Sequence, residues 1–244
     1  MVAGRGIRRL QDDGIDVQVG LLKEEAQEQN RRFFTFQTKK RPYIVLKWAQ
    51  SLDGFIDKKR EANTPPVWLT GSMAQLLVHR WRTEEPAIMV GANTVIRDNP
   101  QLTARKWVGK NPLRVVFDRD LSLPKTAAIF SEEAKTLVFT YIKNFDAENY
   151  TSTVEVQPIS PVKDFEEQVL QEIYKRHIQA VLVEGGRALL SRFIDKGLWD
   201  EARIFTANKV LADGLSAPSV SGCLVEEATL RDFNLRVFRN INAL

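Results

Sequence analysis

One cysteine, Cys223, stands in a chain of 244 residues, which excludes an intrachain disulfide and a multi-cysteine zinc site. Histidine is almost as scarce. His79 and His177 are the only two, too few for a dedicated metal centre, and both are read as structural. No apolar run approaches the roughly 18 residues of a membrane span, and no secretory leader opens the chain, so a soluble cytoplasmic protein is expected. No Lys/Arg block carries interleaved aromatics, so nothing marks a nucleic-acid partner. What is present is ordinary for a globular protein: 43% hydrophobic and 27% charged residues, with a net charge of +4 that suits an anionic small molecule. The length allows one large domain, or a domain with an appendage.

The first forty residues differ from the rest. Helical spacing is expected at 4–10 and again over 24–36, and residues 15–19 alternate like a short strand. The run GRGIRR has Arg9 where a third glycine would stand and no strand before it, so it fails as a dinucleotide fingerprint. Residues 1–40 therefore read as an appendage, and 41–244 as the main domain.

From residue 43 to 48 a strand carries Lys47 among apolar neighbours, where a lysine either snorkels to solvent or points into a site. A turn at 51–54, a short strand at 55–56 and a polar loop ending in Pro65-Pro66 follow. Thr70 or Ser72 is placed to cap a helix over 73–83, with Met73, Leu76, Leu77, Arg80 and Trp81 on its core side. Arg82 lies beside that stripe, near the helix end. Further strands are expected at 87–90, 113–118, 137–140, 180–183, 201–206 and 233–239. Helices are expected at 163–176 and at 188–196, the latter stopped by Gly197. Such alternation argues for an α/β fold whose sheet is mostly parallel.

Two stretches carry chemistry. In IMVGANTVIRDNPQLTAR (88–105) a buried strand runs into the small residues Gly91 and Ala92, then a polar helical turn with Asn93, Thr94 and Asp98, which Asn99-Pro100 ends. Leu102 and Arg105 follow, an apolar contact and a fixed positive charge. In VLVEGGRALLSRFI (181–194) a strand ends in Glu184, and Gly185-Gly186 leads directly into a helix. Glycines there leave backbone N–H groups open at the positive end of a helix, a cradle for phosphate, while a carboxylate at the strand end can bind a hydroxyl or amino group. Arg82 and Arg105 are candidates to hold a substrate phosphate by bidentate contacts. Trp68, taken alone, is read as a core residue.

Taken in order, RPYIVLKWAQSLDG, VWLTG, WRTEE, VGANTVIRDNPQLTAR and VEGG resemble the pyrimidine reductase of riboflavin biosynthesis, the C-terminal half of a bifunctional bacterial deaminase-reductase. The resemblance runs from about residue 41 to the C-terminus. It implies that residues 1–40 are a remnant of an upstream deaminase domain and its linker. The deaminase motifs HxE and PCxxC are absent. The resemblance further implies a dihydrofolate-reductase-like α/β fold with a mixed, mostly parallel sheet flanked by helices, a homodimer, and NADPH-dependent reduction of the ribosyl group of 5-amino-6-(5-phosphoribosylamino)uracil to a ribityl group. By resemblance, Ala49, Trp68, Thr94, Asp98, Gly186, Arg187 and Ala188 match cofactor-binding positions. Arg82, Leu102, Arg105 and Glu184 match positions that bind the phosphorylated pyrimidine substrate. Lys47 matches a lysine lining the site and is the candidate for polarising or protonating the sugar. Pro66 stands where many members have serine, and Arg119, where a small polar residue is frequent, could serve the cofactor's extra phosphate. The competing readings are a dihydrofolate or other pteridine reductase on the same fold, and a non-catalytic nucleotide-binding module.

Overall fold

Strand β1 (Tyr43–Gln50) lies inside a nine-stranded sheet because its side chains are buried on both faces through most of its length. Strands covered on both faces need near-continuous apolar runs, which Tyr43-Ile44-Val45-Leu46 supplies. The computed structural model describes residues 4–60, 64 and 67–241. Within it the same rule selects β3 (Ala87–Gly91), β4 (Leu113–Phe117), β5 (Thr136–Thr140), β7 (Ala180–Val183) and β8 (Glu201–Ala207). With β6 (Val154–Pro158), β10 (Cys223–Thr229) and β11 (Phe233–Arg239), the order is β10-β11-β8-β1-β7-β3-β4-β5-β6. From β8 to β6 every pairing is parallel, and β11 runs antiparallel to both β8 and β10. A separate pair, β2 (Phe55–Asp57) with β9 (Leu215–Ser216), lies apart from this sheet.

Helices α4 (Ser72–Glu84) and α5 (Ala92–Asp98) contribute to one core, where Val78, Trp81 and Val95 meet Val45, Phe205 and Leu235. Helices α6 (Phe165–Lys175) and α7 (Arg187–Asp195) contribute to the other, through Val169, Leu170, Leu190 and Phe193 against Leu46 and Val183. The chain leaves β1, builds β3 to β6 outward, then returns with β7 between β1 and β3 and places β8 on the far side of β1. That reversal falls beside β1, β7 and β3, whose carboxyl ends are the kind of place where open α/β sheets bind ligands.

Several expectations need correction. Residues 15–19 form no strand, because their alternation meets no sheet edge and they lie mostly exposed between α1 (Arg5–Asp12) and α2 (Lys23–Gln29). The single helix expected over 24–36 breaks at Asn30 into α2 and α3 (Arg31–Lys39). Neither Thr70 nor Ser72 caps α4: Gly71 is the N-cap, without a side-chain bond. The buried stripe of α4 is Ala74, Val78, His79 and Trp81, while Met73 and Arg80 are exposed. Strands β6, β9 and β10 have no counterpart among the expected elements. Pro65 and Pro66 lie outside the described residues.

Helix α3 is no loose appendage. Arg32 Nε bonds Glu85 at 2.9 Å, Phe36 is buried with its ring 4.5 Å from that of Tyr174, and Arg31 stands 3.5 Å from Glu201.

Candidate active site

Glu184 follows β7 directly, and its backbone N–H donates to the Met89 carbonyl at 3.0 Å, which continues the β3 pairing one residue further. The β1–β7 register sets Leu46 opposite Val183, so Lys47 comes level with Glu184. Arg82 arrives from the last turn of α4. Its Nε and Nη2 donate to the two Glu184 oxygens at 3.1 and 3.0 Å, and its Nη1 donates to the Thr103 carbonyl at 3.1 Å. Lys47 Nζ stands 3.7 Å from Glu184 Oε2, an ion pair longer than a hydrogen bond, and 5.7 Å from the centre of the Phe205 ring. All three side chains are largely buried.

Burial favours the neutral form of Glu184, but the Arg82 guanidinium and then Lys47 outweigh it and hold the carboxyl down to about 2. Burial pulls Lys47 below the ordinary lysine range, with Glu184 opposing and Arg82 adding to the drop. The result is a fixed anion beside a lysine whose proton is easier to give up than usual. His79, expected only as a structural residue, belongs to this cluster. It is buried, and burial, Arg82 and Arg105 push it down to about 4, so it is neutral at pH 7. Its three-residue spacing from Arg82 puts both on one side of a helix, a signal available in the sequence.

The Gly185-Gly186 junction lies at the same end of the sheet. Gly186 is the N-cap of α7, exposed and without a side-chain cap, so the first-turn N–H groups of the helix have no intrahelical partner. The Gly186 N–H donates to Thr94 Oγ1 at 3.2 Å, which ties α7 to α5. A Cβ at Gly185 would come within 2.8 Å of the Leu189 side chain, so packing alone requires that glycine.

Among the candidate residues, Lys47, Arg82 and Glu184 are in direct contact, as are Thr94 and Gly186. Arg187 and Ala188 are exposed in the first turn of α7, and Ala49 lies near the carboxyl end of β1. Leu102 is 2% exposed and holds the left-handed conformation at φ 58°, a strained backbone for a branched side chain. Arg105 is exposed. Three findings depart from simple expectation. The Arg82 fork is engaged by Glu184, so bidentate phosphate binding would need that pair to open. Asp98 pairs with Arg60 at 2.9 Å, and Arg60 also grips Asp57 at 2.6 Å. Trp68 is 65% exposed rather than core-packed, its carbonyl accepting from Lys209 Nζ at 2.8 Å. Arg119, at the carboxyl end of β4, is exposed and paired with Asp120 at 2.9 Å.

The sequence matches the RibD C-terminal domain over residues 42–241. It is 37% identical to the riboflavin biosynthesis protein RibD of Aquifex aeolicus across 93% of this chain, and 36% identical to that of a Synechocystis strain across 96%. The chain spans 64% and 63% of those proteins' lengths. A crystal structure of a Thermotoga maritima diaminohydroxyphosphoribosylaminopyrimidine deaminase/5-amino-6-(5-phosphoribosylamino)uracil reductase superposes with a TM-score of 0.84 at 34% identity, covering 98% of this chain and 68% of that one. The Saccharomyces riboflavin biosynthesis reductase Rib7 shares the fold, with a TM-score of 0.62 at 16% identity over 82% of this chain and 90% of that one. The chain belongs to the RibD C-terminal domain family.

Proposed function

We propose that this chain uses NADPH to reduce the ribosyl group of 5-amino-6-(5-phosphoribosylamino)uracil to a ribityl group, a step of riboflavin biosynthesis. The observation that carries the reading is the buried Lys47–Glu184–Arg82 cluster beside the Gly-Gly start of α7, at the sheet's reversal point, in a member of the RibD C-terminal domain family.

The residues present fit a dinucleotide. The exposed, uncapped N-terminus of α7 at Gly186, Arg187 and Ala188 suits its pyrophosphate, with Thr94 fixing the turn. Exposed Trp68 offers a flat face, Ala49 leaves room at the end of β1, and Asp98, in a part-exposed ion pair worth little to stability, is available for a ribose hydroxyl. Arg119 would serve the additional phosphate of NADPH over NADH. When bound, the nicotinamide supplies the hydride.

The chain's own groups do the rest. Arg105 holds the substrate phosphate on a loop anchored in the core by Leu102, and Glu184 accepts a hydrogen bond from a sugar hydroxyl or the pyrimidine amino group. Arg82 orients Glu184 and keeps it ionised. Lys47 protonates the ring oxygen as the C1′–O bond breaks and the ribosylamine opens to its protonated imine, whose C1′ then takes the hydride. One hydride and one proton enter the substrate, and Lys47 recovers its proton from solvent.

A homodimer in the cytoplasm completes the reading. It is supported by the unpaired outer edge of β10, with Leu224 and Val225 exposed, and by the described helices, of which none is long and apolar enough to cross a membrane. The test is NADPH oxidation by the purified chain with the phosphoribosylaminopyrimidine, with the product identified by mass. A ribityl product two hydrogens heavier supports the assignment, and no consumption refutes it.

A further inference from the structure

Residues 103–109 lie along α4, held by side chains spaced down the helix. Lys106 Nζ donates to Gln75 Oε1, the Arg80 guanidinium stands 5.8 Å from the centre of the Trp107 ring, and Arg82 Nη1 donates to the Thr103 carbonyl. Gly109 sits so close to Thr83 that a Cβ there would come within 2.6 Å. At the middle of this strap the Lys106 backbone N–H donates to His79 Nδ1 at 3.4 Å. Arg105 is the residue before Lys106. Its exposed side chain makes no hydrogen bond or ion pair among the described residues.

We infer that His79 is a positioning residue: it fixes the loop bearing Arg105 against α4 and so sets where Arg105 meets the substrate phosphate, which rests on the role proposed for Arg105 above.

An imidazole accepts a hydrogen bond only at its unprotonated nitrogen, so with Nδ1 accepting, the proton sits on Nε2. The charged groups facing His79 are Arg82 on its own helix, Arg105 and Lys106 on the loop, and Glu184 at the end of β7. Three cations against one carboxylate, in a buried place, keep the ring neutral. Protonation would set two donors against each other at Lys106 and add a fourth cation. A histidine that merely filled the core would have no bearing on Arg105, and this difference is measurable.

Three variants separate the readings. His79→Leu removes the acceptor. His79→Gln moves it outward by one bond, and His79→Asn keeps one near the place of Nδ1. The readouts are amide hydrogen exchange at Lys106, KM for the phosphorylated pyrimidine, kcat, and the NADPH Kd. The Leu and Gln variants should speed exchange at Lys106 and raise the substrate KM, each by about tenfold, while kcat and the NADPH Kd stay within about twofold. The Asn variant should restore both readouts to within about threefold of wild type, and the losses from His79→Leu and Arg105→Ala should not add in the double variant. Unchanged exchange at Lys106, losses that fall equally on NADPH, or full additivity with Arg105→Ala would each overturn the inference. Should His79→Leu fail to fold, His79→Gln carries the comparison. Hydrogen exchange reads the strap without substrate. A wild-type chain that holds the strap but does not turn over the pyrimidine would therefore refute the proposed function separately.

Discussion

Replacing Glu184 with Gln keeps the shape of the side chain and removes the carboxylate that, among the described residues, alone pairs with both Lys47 and Arg82. Its carboxyl lies at about 2 in the folded chain against an ordinary 4.5. At roughly 1.4 kcal/mol per pH unit, that difference is on the order of 3 kcal/mol of stability at neutral pH. This agrees with the roughly 3–5 kcal/mol lost when one partner of a buried ion pair is removed. For a chain of this size the melting temperature should fall by roughly 6–12 °C. The sign of the pH dependence follows from a depressed carboxyl. The stabilisation is complete well above 4.5 and is lost as pH falls through about 2, with less than half of it left at pH 3. The variant should therefore lag wild type strongly at pH 7 and much less at pH 3, by urea unfolding. Without its counter-charge Lys47 titrates lower still, so the basic limb of kcat/KM should move to lower pH. A loss under about 1 kcal/mol at pH 7, a gap of the same size at pH 3, or an unmoved basic limb would refute the reasoning.

Gly186→Val should raise the NADPH Kd by about tenfold or more without unfolding the chain. The backbone there is extended, and a Cβ would meet only Thr94 Oγ1 at 3.5 Å; unchanged affinity by fluorescence titration would remove the pyrophosphate from this junction. Arg105→Ala should cost roughly 2–4 kcal/mol in kcat/KM with the phosphorylated substrate and far less with its dephosphorylated form, with lysine rescuing only in part. Equal losses on both substrates would show that Arg105 does not hold the phosphate. The boundary of the main domain should fall before α3 rather than at residue 40. Removing 1–40 takes away the partners Arg31 and Arg32 and the buried Phe36, and should cost about 3 kcal/mol or more in urea unfolding, whereas removing 1–22 should cost under about 1 kcal/mol.

The central strands were legible because burial on both faces demands uninterrupted apolar runs, and 180–183 and 233–239 fall where the pattern puts them. Strand β10 was not, because its side chains are exposed almost throughout and only pairing with β11 makes it a strand. Residues 15–19 show the converse, an alternating pattern with no neighbour to pair with. At the site, Glu184 and the glycines after it were marked by their place at a strand-helix junction. The partner of Arg82 was not, since 102 residues separate it from Glu184 and only the β3–β7 pairing brings them together. His79 is a related case: its apolar neighbours along the chain give no sign of the charges that surround it in space.

The most direct test of the proposed reduction is the fate of a deuteride. With NADPH deuterated at the transferable position and 5-amino-6-(5-phosphoribosylamino)uracil as substrate, the chain should place one deuterium on C1′ of a ribityl product for each NADPH oxidised. Deuterium in the pyrimidine ring, or turnover of dihydrofolate in place of the phosphoribosyl compound, would contradict it.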